Sequence, residues 1–484
     1  MTSETVAAFT PPAGKDILGH PRGLAYLVFA EAWERFSYYG MQALLVLYLT
    51  QYLLLPGNIE HVAGFPEFKA AVAGAYGWLG QAFGIGDSGN ELATPIATAA
   101  AITGVYSAGV YATPMIGGWI ADRFLGRTNT VALGALFMVA GHFLMAFDVA
   151  FVAAIACLFI GVGLFKGNIA SQVGELYGPD DLRRSTAYQT FLLGVQIAVI
   201  VAPIVTGFLG EKIAWHYGFG AAGVGMAVAL VVYLSGRQYL PPERPRHQAA
   251  DGAPQPKLTG RDWATMLALI AILPILAATA IGNQEIFNAY LLWGEENYNL
   301  VFFGQTMPTS WLVSLDAIIS TVTVGAALLF WTWWAKRWKE PDEIIKLAIG
   351  ALIAAGAPMI LAFASAHREA TGEPVSLIWG LGFHIVNDIG FAMIFPVGLA
   401  LFSRAAPRQV GGLFIGIYYL HLFICNLATG KIAGLIETMS GQAFWTMHAA
   451  TIAGGAVLLL VFAIFFRKLL APTSAAGGPP AGAG

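Results

Sequence analysis

The amino-acid sequence predicts an all-α membrane protein of twelve transmembrane helices arranged in two sets of six. Three observations predict it. The 484 residues are 57% hydrophobic and only 11% charged, with a mean hydropathy of +0.66. A soluble domain carries about 25% charged residues, so this chain has too few to coat its surface in water. Twelve apolar segments reach the roughly 20 residues that a helix needs to cross a bilayer core. Finally, Lys and Arg gather in alternate connections along the chain, the pattern that sets membrane topology.

The segments run near 24–53, 95–121, 127–147, 150–172, 186–210, 216–236, 262–294, 308–334, 344–365, 376–403, 411–437 and 443–467. Several are longer than a perpendicular span needs, which predicts tilt or kinks. Pro114, Pro203, Pro274 and Pro396 are the kink candidates, and membrane helices tolerate them. Residues 1–22 hold Glu4, Lys15 and Asp16 and no apolar core, so the first segment reads as a retained helix rather than a signal peptide. With both termini in the cytoplasm, 19 of the 25 Lys and Arg fall on the cytoplasmic side, and the outside loops hold only Lys69, Lys212 and Arg368. Arg35, Lys166 and Lys431 remain inside spans.

The Pro-rich, charged link 237–261 divides an N-terminal six-helix bundle, 1–236, from a C-terminal one, 262–470. In the long outside loop 56–92, FKAAVAGAYGWLGQAFGIG (68–86) reads as a surface helix or a partly ordered loop. A thirteenth span there would invert the basic pattern downstream. Residues 471–484 are Ala, Gly and Pro with one Thr and one Ser, which reads as a disordered tail. WTWWAKRW (331–338) reads as an interfacial aromatic belt. Cys157 and Cys425 define neither a disulfide framework nor a metal spacing. No basic stretch suits nucleic acid. No H-E-x-x-H, G-x-S-x-G or Cys-His arrangement suggests an enzyme.

Two motifs carry chemistry. GGWIADRFLGRT (117–128) links the second and third segments. Its glycines allow close helix approach, and Asp122 can pair with a cation or a helix N-terminus. The first span contains EAWERFSYYG (31–40), where spacings of three and four put Glu31, Glu34 and Arg35 on one face. Charges at mid-membrane cost at least a few kcal/mol each, so three together imply an aqueous cavity and mutual pairing. Lys166, within GLFKGN (163–168), balances the set: two carboxylates, two cations. Protonating one carboxylate would free a cation to hold a substrate carboxylate, the simplest electrostatic form of proton coupling. A purely structural ion-pair network is the alternative.

The 117–128 sequence resembles the major facilitator loop motif, with Gly118, Asp122, Arg123, Gly126 and Arg127 on its pattern. EAWERFSYYG matches, at every defined position, the ExxERFxYY signature of the proton-dependent oligopeptide transporter family. FKGNIASQVGELY (165–177), residues 183–211, WHYGFGAAGVGM (215–226) and FPVGLALFSRAAP (395–407) look like further family segments. The likeness spans nearly the whole chain and is strongest from 24 to 226. It implies a major facilitator fold and proton-driven uptake of di- and tripeptides, with no cofactor. It implies proton coupling through Glu31, Glu34, Arg35, Lys166 and Glu295. It also implies a substrate site lined by Arg35, Tyr38, Tyr39, Tyr111, Lys166, Gln196, Asn288, Asp316, Asp388 and Tyr418.

The chain departs from the family pattern at several places. Gln42 stands where the family has an Arg, Gly167 replaces a Pro, and Gln196 replaces an Asn. The seventh-helix Glu appears as Gln284, with Glu285 adjacent, and the outer acidic-basic pair becomes Glu295-Glu296. The tenth-helix Glu that meets a peptide's amino terminus aligns with Phe391, the eighth-helix Asn becomes Asp316, and the eleventh-helix Trp becomes Tyr418. Asp316 is therefore the candidate to take over the amino end, with Asp388 next; pairing of Asp316 with Lys431 or a helix terminus is the structural alternative. His384 and Asp388, four residues apart, can meet, and His421 adds a further titratable group; a buried hydrogen bond would equally account for either His. Two other functions stay open: a same-family carrier of a non-peptide organic anion, and a membrane peptide receptor that transports nothing. The expected partners are small peptides, protons and the lipid bilayer, with the protein a functional monomer. The expected location is the plasma membrane, or the inner membrane of a Gram-negative source.

Overall fold

The structure, a computed structural model, describes residues 16–83, 92–177, 181–241 and 258–471. The expected tail and the middle of the 237–261 link lie outside the described residues, as does the end of the 68–86 stretch. The described chain is almost entirely helical. Its helices are α1 Arg22–Tyr48, α2 Phe65–Phe83, α3 Pro95–Ile120, α4 Arg127–Leu144, α5 Phe151–Glu175, α6 Arg183–Lys212 and α7 Trp215–Ser235. After the link come α8 Gly260–Ala271, α9 Leu273–Gln284, α10 Ala289–Asn297, α11 Trp311–Ala335, α12 Glu343–Thr371, α13 Ile378–Ala405, α14 Gly411–Ile432 and α15 Gly441–Leu470.

Among the described residues, ten helical stretches are long and apolar enough to cross a membrane. Two of the twelve expected spans fall outside that set. α1 carries Glu31, Glu34 and Arg35 in its middle, and α4, 18 residues long, includes Arg127, Asn129 and His142. The surface reading of 68–86 meets a helix, α2, whose Tyr76 is buried.

The expected seventh span is broken. Pro274 falls in the first turn of α9, directly after α8 ends, where its missing N–H costs nothing. A 3₁₀ turn, Glu285–Phe287, follows, and Asn288 leaves helical geometry at φ −136°, ψ −107°. The Glu285 carboxylate then accepts the Ala289 N–H at 3.1 Å, supplying the acceptor that the break removed. Pro114, Pro203 and Pro396 lie inside continuous helices. Other helix starts are conventional: Thr259 and Asp262 form a capping box on α8, and Asp342 and Ser440 cap α12 and α15. A short hairpin, β1 Val301–Phe302 with β2 Gln305–Thr306, was not legible in the sequence.

α1 packs on α6 and α7, and α5 on α3 and α4. Beyond the link, α12 packs between α13 and α15, and α14 and α15 pack on α9. The early and late helices meet along α3–α14 and α6–α11. These meetings concentrate at the end of the molecule that bears the β1–β2 hairpin. There Glu211, at the end of α6, accepts the Thr309 and Ser310 N–H groups at 2.6 and 2.9 Å, an anion on the N-terminus of α11. Trp311 Nε1 and Ser314 Oγ donate to the Ile204 and Ile200 carbonyls at 3.1 and 2.8 Å. α3 and α14 touch backbone to backbone: a Cβ on Gly104 would lie 2.5 Å from the Gly430 Cα. The hairpin end is shut by these contacts.

Gly104→Leu places a side chain where not even a Cβ fits. It is expected to disfavour the shut arrangement by about 1–3 kcal/mol, the usual cost of overpacking, or about 5- to 150-fold in population. Spin labels on α6 and α11 near the hairpin should report a longer distance in the variant. An unchanged distance distribution would show that the glycine contact does not hold this end closed.

Candidate functional site

The helical repeat of α1 stacks Glu31, Glu34, Arg35 and Tyr38 along one buried face. Glu31, Glu34 and Arg35 are 6%, 0% and 3% exposed. Arg35 Nε lies 3.1 Å from Glu31 and pairs with Glu34 as well. Lys166, on α5, completes the set but is held differently. Its ammonium sits 4.7 Å from the Tyr111 ring centroid and 5.7 Å from that of Tyr38, a cation–π contact. Among the described residues no carboxylate comes within ion-pairing distance of it. Arg35 faces Tyr38 too, at 5.3 Å. Glu31 Oε2, Glu34 Oε1 and Arg35 Nη2 have no hydrogen-bond partner. The cluster therefore balances its charge while leaving one acceptor on each acid and one donor on the arginine unspent. Such a group can accept a proton or hold an anion.

A second polar group lies on α11, α13 and α10. His384 Nδ1 is 2.9 Å from Asp316 Oδ1, and His384 Nε2 is 2.9 Å from the Tyr290 hydroxyl. Asn387 Nδ2 donates to Asp388 at 3.0 Å. The ligating atoms of Asp316, His384 and Asp388 fall within 4.8 Å of one another. Asp316 thus pairs with His384, with Asp388 close by. Tyr39 lies near both groups, close enough to feel Arg35, Glu34, Glu31 and Asp316.

The remaining predicted residues are dispersed. Gln196 donates to Thr321 on α11 at 2.9 Å, and Asn288 donates to the Ala100 carbonyl at 3.2 Å. Both join early helices to late ones. Tyr418 is fully buried between α13 and α14, its hydroxyl donated to the Phe395 carbonyl at 2.6 Å; the structure does not bring it to the other site residues. His421 packs on Tyr418. Phe391 stacks on Phe395. In the loop motif, Asp122 and Glu175 both pair with Arg127, Asp122 at 3.6 Å.

Sequence reasoning missed three groups. Glu211 latches α11, Tyr290 joins His384, and His448 pairs at 3.2 Å with Glu285. A His within an apolar span was the available signal for His448. For Tyr290 there was none.

Many helices of membrane-crossing length around two buried polar clusters make a multi-pass membrane protein. Comparison with known proteins narrows the class. The POT family profile matches residues 128–251. The uncharacterized transporter YclF of Bacillus subtilis is 27% identical, the match covering 97% of this chain and 99% of that one. The peptide transporter YePEPT of Yersinia enterocolitica is 26% identical over 95% and 97%. A di-/tripeptide transporter of Lactococcus lactis subsp. cremoris is 25% identical over 92% and 96%. Among solved structures, the peptide transporter POT in complex with sulfate superposes with a TM-score of 0.76 at 23% identity, covering 94% of this chain and 97% of that one. The chain thus resembles the POT family, in the profile over residues 128–251 and in these relatives along nearly its whole length.

At the shut end, Glu295 accepts a hydrogen bond from Gln51. Burial and then the neighbouring Glu211 carboxylate push its carboxyl up from 4.5 to about 7. Its ionised form opposes closure, so closure is disfavoured above about pH 7 and is relieved as pH falls toward 4.5. Labels across this end should draw together on acidification through that window. Glu295→Gln is expected to flatten the response; a variant as pH-dependent as the parent would assign the effect to another group.

Proposed function

We propose that this protein is a proton-coupled symporter that imports di- and tripeptides by alternating access. It works without a cofactor, as a monomer in the plasma membrane, with both termini cytoplasmic. In this reading α1 and α4 join the ten apolar spans to make twelve. The two six-helix bundles, 1–236 and 262–470, rock about the space beside Tyr39, and the hairpin end faces outward. The observation that carries the proposal is the buried, charge-balanced cluster of Glu31, Glu34, Arg35 and Lys166 with unspent polar atoms on three of its members. The printed functions of the Yersinia and Lactococcus relatives support the cargo.

The chemistry follows from electrostatics. With both acids ionised, Arg35 is neutralised by its own helix. A proton on Glu31 or Glu34 removes one partner, and the guanidinium then has charge to offer a peptide's carboxylate, beside Lys166 on its tyrosine platform. The peptide's ammonium needs an anionic partner in a desolvated cavity. Phe391 cannot provide it, and Asp316, with Asp388 beside it, can. Tyr38, Tyr39 and Tyr111 line the space between, and Gln196 and Asn288 join the bundles around it. Carriage of a non-peptide organic anion is the second reading, favoured by Phe391 stacking on Phe395 where an acid would suit an amine.

Uptake of a labelled dipeptide into liposomes under an imposed proton gradient tests the proposal directly. Competition by free but not N-acetylated dipeptides is the expected pattern; equal competition would favour the organic-anion reading. Lys166→Ala is expected to lower driven uptake by about 100-fold or more, the scale of leaving a buried cluster with unbalanced charge. Undiminished uptake by the folded variant would remove Lys166 from the site.

Glu31→Gln and Glu34→Gln mimic the protonated acids. Each is expected to impair driven uptake while gradient-free exchange between peptide pools survives in part. Loss of exchange with driven uptake intact would reverse the assignment. Asp316→Asn is expected to weaken free-amino dipeptides about 10- to 150-fold, the value of a charged hydrogen bond. Unchanged affinity would move the amino-end role to Asp388.

A further inference from the structure

The second cluster contains more than an amine site requires. Side-chain oxygens of Asp316 and Asp388 lie within 4.8 Å of each other, and the buried Asp388 Oδ2 has no hydrogen-bond partner. Two ionised carboxylates cannot stay so close out of water; a positive charge must lie between them. Among the described residues no lysine or arginine pairs with either. The groups that face the pair are Tyr39 on α1, Tyr290 on α10, and His384 and Asn387 on α13.

His384 gives the cluster a direction. Its Nδ1 lies against Asp316, and in the tautomer that donates there Nε2 accepts. The Tyr290 hydroxyl, 2.9 Å away, is then the donor to Nε2. The Tyr290 oxygen accepts in turn from the Tyr298 hydroxyl at 3.5 Å. Every hydrogen in this line points toward Asp316. Tyr298 begins at the hairpin end, where the backbone of Asn299 pairs with Val375. Trp293, its ring 5.0 Å from that of Tyr298, lines a surface cavity of about 410 Å³ with Glu296, Asn297 and Arg368.

We propose that Asp316 and Asp388 hold one proton between them, a second proton-binding site, and that Tyr298, Tyr290 and His384 deliver it from the hairpin end. A proton reaching the Tyr298 oxygen displaces that hydroxyl's own proton to Tyr290, whose proton passes to His384 Nε2. The Nδ1 proton passes to Asp316. No electrons are transferred, and the line resets by hydroxyl rotation and tautomer exchange of the imidazole. A substrate ammonium and the shared proton then become alternative occupants of one site. The inference rests on the proton-coupled reading above.

Infrared spectra of the full chain in lipid, at neutral pH and without substrate, test the site. A protonated-carboxyl band is expected in the parent, persisting in the Glu31→Gln, Glu34→Gln double variant and lost in Asp388→Asn. Asp316→Asn should lose it too, so one folded variant of the two suffices. A band that survives both, or that vanishes with the α1 acids, overturns the site. Tyr290→Phe keeps the ring and removes the hydroxyl. It is expected to keep the band but slow its growth after a downward pH jump at least tenfold, and an unchanged rate overturns the delivery line. Because no peptide is present, the result stands apart from the identity of the cargo.

Discussion

An ionised side chain in an apolar interior costs several kcal/mol unless opposite charge and hydrogen bonds meet it. That constraint governs how the polar groups of this protein are arranged. Arg35 is met by two carboxylates on its own helix, so α1 carries its charge without needing a partner helix to supply it. Lys166 is met by tyrosine faces rather than by a carboxylate. A cation held by ring quadrupoles keeps its capacity to form charged hydrogen bonds, and Arg35, paired through Nε, keeps Nη2 for the same use.

The constraint acts differently in the late helices. There two carboxyl groups and an imidazole occupy one buried site, and among the described residues no lysine or arginine pairs with them. The two clusters share Tyr39 as a neighbour. Any event that changes the charge of one is therefore felt near the other through a short, poorly screened path. The shut hairpin end uses the same physics at the surface. The Glu211 carboxylate meets the free N–H groups of α11, and small residues let α3 and α14 touch. Both contacts are local and separable.

Much of the fold was legible because lipid-scale apolar segments and the segregation of basic residues are one-dimensional signals. The break at Asn288 was not. Pro274 warned of a kink, but the end of α9 depends on Glu285 reaching the Ala289 N–H, a contact set by three-dimensional position. Within the site, Glu31, Glu34 and Arg35 could be placed together from helical spacing alone. Lys166 could be assigned to the same balance by counting charges, though not its seat over Tyr111. His384 and Asp388 were visible as a pair on one helix. That Asp316 joins them depends on how α11 packs on α13, and the apolar sequence between them carries no record of that. Tyr418 illustrates the converse: a residue chosen by position along the chain proves to be packed inside the core, its hydroxyl satisfied by a backbone carbonyl.

The sequence by itself determined that this is a helical membrane protein, which loops carry its basic charge, and that a neutral set of four charges sits in its first half. Those properties follow from composition and from the 3.6-residue repeat, and both are local. Tertiary structure alone decided which carboxylate meets which imidazole, which end is shut, and where Tyr290 and Glu211 act. Each of these depends on the approach of helices far apart in the chain, and helix surfaces of Ala, Gly, Leu and Val specify that approach by shape rather than by any readable pattern.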